Sequence, residues 1–221
     1  TLRIFYSFLV PILGGRLWTT VSTLSLLVPA IGIGMAVQNP LTPYWVFVAL
    51  ALACGLGGGN FASSMSNISF FFPKSAKGNA LAVNAGFGNL GVSVMQFLVP
   101  VVVTLGAFAP VVGTPQIAVD KDVESQIWLQ NAGFVWVPFV LAAAAMAWLG
   151  MSDIASARAS FSEQSVVFKR KHNWVICWLY LGTFGSFIGF SAAFPLLMKT
   201  LFPSAPVLQL VFLGPLVGAA S

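Results

Sequence analysis

Charged side chains are almost absent from long stretches of this chain, and that absence decides the solvent in which it can fold. Five runs, Leu17 to Val37, Tyr44 to Phe72, Gly78 to Phe108, Ala132 to Met151 and Asn173 to Thr200, contain a single ionisable cation or acid between them, Lys199 at the end of the last. Each is at or above the roughly 20 residues that an α-helix needs to cross about 30 Å of hydrocarbon. Shorter apolar runs, Thr1 to Leu13 and Ala205 to Ser221, flank them. The expectation is an all-α membrane protein with seven helices, five of them complete spans.

Composition excludes the main alternatives. Charged residues make up 7% of the chain, against about a quarter in a soluble domain, so a soluble fold would have almost no polar surface to keep it dispersed. The formal charge of +5 does not indicate nucleic acid, because the basic residues stand singly or at segment ends and form no stripe interleaved with aromatics. Cys54 and Cys177 sit inside apolar runs at no metal or disulfide spacing. No cofactor, no metal site and no catalytic residues are expected, and the chain reads as something other than an enzyme. The opening run is too short to span and lacks the basic leader of a signal peptide; both ends are expected to be cut, which makes the chain a portion of a larger transporter.

Turn and breaker residues separate the spans: Gly14-Gly15-Arg16, Asn39-Pro40, Pro73-Lys74, a charged stretch and Phe202-Pro203-Ser204. Because successive loops alternate sides, the segmentation can be checked against the bias of Lys and Arg toward the cytoplasm. One side takes Arg16, Lys74, Lys77, Arg158, Lys169, Arg170 and Lys171, and the other takes Lys121 and Lys199. This places the loops at 14–16, 73–77 and 152–172 in the cytoplasm and the chain in the cytoplasmic (inner) membrane. The long connection at 152–172 divides an N-terminal bundle, 1–151, from the start of a C-terminal one, 173–221, an organisation found in transporters built from two bundles.

With orientation fixed, depth follows from the helical rise of 1.5 Å per residue. Arg3 lies about 16 Å from the cytoplasmic Gly14 on this scale, near the middle of the hydrocarbon. Phe61, Asn89 and Phe184, measured from Phe72, Gly78 and Asn173, fall at about the same depth, and Tyr180 one turn lower. An arginine there costs about 2.5 to 3.5 kcal/mol even on the lenient insertion scale, so it faces a cavity or a partner. The five acids, Asp120, Asp122, Glu124, Asp153 and Glu163, all fall in expected loops. Two readings remain for Arg3: pairing with an acid elsewhere or snorkelling, or a guanidinium whose counter-ion is an oxyanion substrate.

The stretch Lys77 to Gln96, KGNALAVNAGFGNLGVSVMQ, sets Gly86, Gly88 and Gly91 among small residues and asparagines. Such spacing lets another helix backbone approach closely. It also contains G-x-G-x-x-G, but no strand or βαβ unit surrounds it, so a dinucleotide site is rejected. A ligand-touching role for Gly86, Gly88 and Asn89 stands beside the packing role. Phe61, Tyr180 and Phe184 taken singly are packing residues as readily as site residues.

The run GLGGGNFASSMSNISFFFPK (Gly55 to Lys74) followed by AGFGNLG (Ala85 to Gly91) resembles the nitrate/nitrite porter family of the major facilitator superfamily. The resemblance covers essentially the whole chain, from TLRIFYSF through TFGSFIGFSAAF. It implies the major facilitator fold, with this chain covering roughly transmembrane helices 2 to 8, and transport of nitrate and nitrite. In that family the residue matched by Arg3 binds the anion together with a second arginine from the C-terminal half. The residues matched by Phe61, Tyr180 and Phe184 sandwich the planar ion, and that matched by Asn89 hydrogen-bonds it. Phe87 stands where many members carry Trp, and the loop at Gly14 to Arg16 lacks the acid common across the wider superfamily.

The expected function is therefore a secondary active transporter, acting as a monomer in the lipid bilayer, that exchanges nitrate and nitrite by alternating access. No carboxylate or histidine lies inside the expected spans, His172 being at a cytoplasmic edge, which favours exchange over proton symport. A passive anion channel would want a continuous polar or basic pore, and a non-transporting membrane subunit would leave Arg3 without a reason to lack a local counter-charge.

Overall fold

The computed structural model describes residues 2–106, 113–120, 123–153, 163, 165–202 and 210–220. Helices dominate: α1 (Leu2–Leu13), α2 (Gly15–Leu24), α3 (Leu27–Ala36), α4 (Tyr44–Phe71), α5 (Lys74–Thr104), a four-residue α6 (Asn131–Phe134) running into α7 (Trp136–Gly150), α8 (Lys171–Leu201) and α9 (Leu213–Ala220). Five stretches are long and apolar enough to cross a membrane, Gly15–Ala36, Tyr44–Phe71, Lys74–Thr104, Asn131–Gly150 and Lys171–Leu201. Their ends match the expected spans to within four residues, and the chain is a multi-pass membrane protein. Phe108, Arg158, Lys121, Asp122 and residues 154–162 and 164 of the connection at 152–172 lie outside the described residues.

Two features depart from the sequence reading. The first span is interrupted, being α2 and α3 joined at Ser25 and Leu26. Pro29 is the cause: it has no N–H for the Ser25 carbonyl four residues back and its ring crowds that carbonyl. The turn tightens instead, with Val28 N–H donating to Ser25 O at 3.2 Å and Leu26 N–H to Thr23 O at 3.1 Å. The second departure is a β-hairpin where only a loop was expected. Strands β1 (Gln116–Asp120) and β2 (Val123–Ile127) pair antiparallel, with Gln116 opposite Ile127 and Asp120 opposite Val123.

The described chain forms two compact units, Thr1–Leu81 with Leu98–Arg158, and Ala82–Phe97 with Ala159–Ser221. In the first, α1 packs on α4, α2 on α7, and α3 on α4 and α6. Small residues allow this. A Cβ on Gly59 would strike the Tyr6 ring, which is itself buried and edge-on to Trp18 at 4.8 Å. A Cβ on Gly133 would strike the Ala30 carbonyl and the Gly34 backbone, so α6 crosses α3 backbone to backbone.

Buried amides hold the hairpin to the helices. Asn131, fully buried, donates through Nδ2 to Val102 O at 3.1 Å and Leu105 O at 2.9 Å, which satisfies carbonyls at the open C-terminal end of α5. Gln130, also fully buried, donates to Thr114 O at 3.2 Å and accepts from Gln116 Nε2 at 3.0 Å.

The second unit contains the middle of α5, a 3₁₀ turn (Val166–Lys169), α8 and α9. Trp174 Nε1 donates to Phe168 O at 2.9 Å and fastens the 3₁₀ turn to the start of α8. No residue of α8 is buried within this chain.

Candidate functional site

The residues expected to bind an anion are divided between the units. Arg3 and Phe61 belong to the first, on α1 and α4; Gly86, Gly88, Asn89, Tyr180 and Phe184 belong to the second, on α5 and α8. Arg3 stands in the first turn of α1, and its side chain lies outside the described residues. Phe61 is half-buried on α4, one residue after Asn60, whose Oδ1 is buried without a hydrogen-bond partner in the structure. Asn60 was missed from sequence. An amide inside an apolar run is its only signal, and that signal is weak beside the glycines that precede it.

In the second unit the i, i+4 spacing of Tyr180 and Phe184 puts both rings on one face of α8. They stack on each other at 5.1 Å with an interplanar angle of 9°, and Phe187 continues the row at 6.2 Å from Phe184. Tyr180 and Phe184 therefore form one joint aromatic wall and leave no gap between themselves for an ion. On α5, Gly86 and Asn89 are one turn apart with Gly88 between them. Gly86 lies under α9: a Cβ there would stand 3.5 Å from the Ala219 carbonyl, an ordinary contact. It borders a shallow hollow of about 440 Å³ with Ala82, Val83, Phe87, Leu90, Leu216 and Ala219. Asn89 is half-buried.

The common depth argued from sequence shifts once the helix ends are known. Phe61 is about 15 Å from the end of α4 at Phe71, whereas Asn89 is about 22 Å from the start of α5 at Lys74 and Phe184 about 20 Å from the start of α8 at Lys171. The reason is length. At 31 residues each, α5 and α8 run about 46 Å and exceed the hydrocarbon, so their first turns project into the interface and do not mark its edge.

A second cluster lies at the corner between α1 and α2. Gly14 takes φ +93°, a left-handed conformation suited to glycine, and a Cβ there would be 2.7 Å from Asp153 Oδ1. The Arg16 backbone N–H donates to that oxygen at 2.9 Å, while its guanidinium lies 4.4 Å from the Trp148 ring centroid. Arg16 is thereby a structural cation, unlike the mid-membrane arginine expected at position 3. Among the described residues no three His, Cys, Asp or Glu side chains converge as a metal site.

No family model matches the chain. Curated relatives do. The nitrate/nitrite transporter NarU of Escherichia coli strain K12 is 54% identical over 220 residues, covering 99% of this chain and 46% of the relative. NarU of Salmonella typhimurium strain LT2 gives the same identity and coverage. A probable nitrate/nitrite antiporter, NarK2 of Thermus thermophilus, is 50% identical over 224 residues, covering 99% of this chain and 50% of the relative. The chain thus spans about half the length of the curated relatives it matches. Along 99% of its length the chain is thus similar to proteins named as nitrate/nitrite transporters or antiporters.

Proposed function

We propose that this chain is the helix 2 to helix 8 portion of a secondary active transporter that moves nitrate and nitrite across the cytoplasmic membrane, exchanging one for the other by alternating access. The observation that carries the reading is identity of 50–54% along 99% of the chain to proteins named for nitrate and nitrite transport. On this reading the residues at 1–151 and 173–221 belong to two bundles, the loops at 14–16, 73–77 and 152–172 face the cytoplasm, and the protein works as a monomer.

Chemistry supports the residue roles. Nitrate and nitrite are planar and spread one negative charge over their oxygens, so the fixed fork of the Arg3 guanidinium can meet two oxygens at once. The Tyr180–Phe184 wall and Phe61 offer flat apolar surface that excludes water and strengthens the charge-assisted bonds. Asn89 contributes a neutral donor, and the lack of side chains at Gly86 and Gly88 leaves room beside it. Carboxylates among the described residues lie outside the spanning helices, which leaves the spans without an acidic proton carrier and supports exchange.

The test is Arg3→Lys in the full-length protein reconstituted in vesicles. Lysine keeps the charge but loses the fork. With charge-assisted hydrogen bonds contributing about 1.5 to 3 kcal/mol each, nitrate affinity should fall roughly ten- to a hundredfold and nitrate/nitrite counterflow should collapse. Arg16→Lys, which disturbs the stacking on Trp148, should leave affinity in place. Near-normal affinity in the Arg3 variant would overturn the binding role. Uptake driven by a proton gradient without a counter-anion would replace exchange by symport, and flux without saturation would point to a channel.

A further inference from the structure

Two side chains on α5, one turn apart, reach past their own helix to backbone carbonyls of α8 and α9. Gln96 donates through Nε2 to Ser191 O at 2.8 Å, and Ser93, almost wholly buried, donates through Oγ to Phe212 O at 2.8 Å. The rings of Phe97 and Phe212 meet edge to face at 5.1 Å beside them. All of these residues lie in the second compact unit.

The Ser191 carbonyl is special. Four residues on stands Pro195, inside α8, with no N–H to offer it. Gln96 supplies the missing donor from another helix. It stands in the same relation to Pro100 in α5, so each helix is interrupted by proline one turn beyond the contact. Phe212 O, by contrast, also accepts from Leu216 N at 3.1 Å, so the Ser93 bond supplements a helical one. Gln96 Oε1 is buried without a hydrogen-bond partner in the structure, at a cavity of about 190 Å³ lined by Phe187, Phe190, Phe194, Val211 and Gly214 among others. The amide is held for its donor alone.

Gln96 is seven residues beyond Asn89, and Ser191 seven beyond Phe184. Both therefore stand about 10 Å further from the cytoplasm than the expected anion layer. Resting on the two-bundle reading above, which assigns α5 to the first bundle and α8 and α9 to the second, we propose that Gln96 and Ser93 are the hydrogen-bonded latch that closes the outer side of the transport pathway. Opening outward strips the Ser191 carbonyl of its donor, and water must replace it. Gln96 is thus a positioning residue for the cycle, acting on the balance between states without touching the ion.

The test measures labelling of Val211→Cys by a membrane-impermeant maleimide, applied from each side separately, in the reconstituted full-length protein with Cys54, Cys177 and its other cysteines replaced. No anion is present. Interhelical hydrogen bonds in membranes correspond to roughly threefold, and at most about twentyfold, in an equilibrium. Gln96→Leu should accelerate outside labelling by that factor, and Ser93→Ala should act in the same direction by less. Pro195→Ala returns an N–H to the Ser191 carbonyl, so adding Gln96→Leu to it should accelerate labelling less than Gln96→Leu does alone. Unchanged labelling in both single variants, with elution profiles like the parent's, would overturn the latch, as would acceleration from the cytoplasmic side. An undiminished Gln96→Leu effect beside Pro195→Ala would overturn the role of the proline-freed carbonyl. Counterflow by the parent is scored separately: its absence would sink the anion reading while leaving the labelling result to decide the latch.

Discussion

Glycines at the helix crossings of the first compact unit do the opposite of the glycines along α8 in the second. In the first, Gly15, Gly57, Gly59 and Gly133 are filled positions: a Cβ on any of them would run into Asn67, Leu26, Tyr6 or the backbone of α3. In the second, Gly182, Gly185 and Gly189 along α8 have nothing within 4 Å of where a Cβ would stand. The same residue in the same kind of apolar run thus marks a tight crossing in one place and clearance in another. Spacing alone does not separate the two; only the partner helix does. The crossings of the first unit read as a locked scaffold, while the contacts that α8 makes within this chain are few and directed, such as the Gln96 amide.

The largest effect expected of this contrast is at Gly133. Gly133→Val forces α6 away from the Ala30 carbonyl, and overpacking of this kind costs about 1 to 3 kcal/mol or more. The full-length protein should lose most of its folded yield, with a sharply lower thermal midpoint in detergent. A variant that melts like the parent would show that the crossing is loose and the contrast false.

Asn131→Ala comes next. It removes the amide bonds to the Val102 and Leu105 carbonyls, leaving Val102 O with only the Leu105 N–H at 3.3 Å, and each lost bond costs about 0.5 to 1.5 kcal/mol. The thermal midpoint should fall while nitrate affinity holds, since the site residues lie on other helices. Loss of affinity without loss of stability would tie the locked scaffold directly to binding. The smallest effect is at Gly189. Gly189→Ala meets no neighbour and improves helix propensity by about 0.5 to 1 kcal/mol, so stability should hold or rise slightly. A marked drop would reveal a close partner on that face in the full-length protein and would sharpen the comparison by naming which face of α8 is packed.

Much of this was legible in the sequence, for a physical reason. Spans announce themselves because each residue pays its own transfer cost, so a run bounded by Pro73-Lys74 or Lys171 needs no tertiary information. The interruption before Pro29 was written in the proline, yet proline is common enough in membrane helices that its effect needed the Ser25 carbonyl to be seen. The hairpin had a signal too, Ile117 and Val119 alternating in one strand and Val123 and Ile127 at the ends of the other, on either side of Asp-Lys-Asp; between long apolar spans, so short a pattern reads as loop. At the candidate site, spacing alone put Tyr180 and Phe184 on one face. The Ser93 and Gln96 contacts were hidden, because their acceptors are backbone atoms roughly a hundred residues away and carry no side-chain signature.

The amides around Gln130 and Asn131 have a consequence in time as well as in geometry. A connection between spans ordinarily trades its N–H protons with solvent quickly, because its hydrogen bonds break singly. Here Trp128 N–H is bonded to Val103 O at 2.8 Å and Leu129 N–H to Gln116 Oε1 at 3.1 Å, and β1 and β2 bond to each other. The Trp128 proton cannot leave until the exit of the hairpin parts from the end of α5, nor the Leu129 proton until the Gln116 amide lets go. Deuterium should therefore enter at these two positions more slowly than at an unbonded connection between spans.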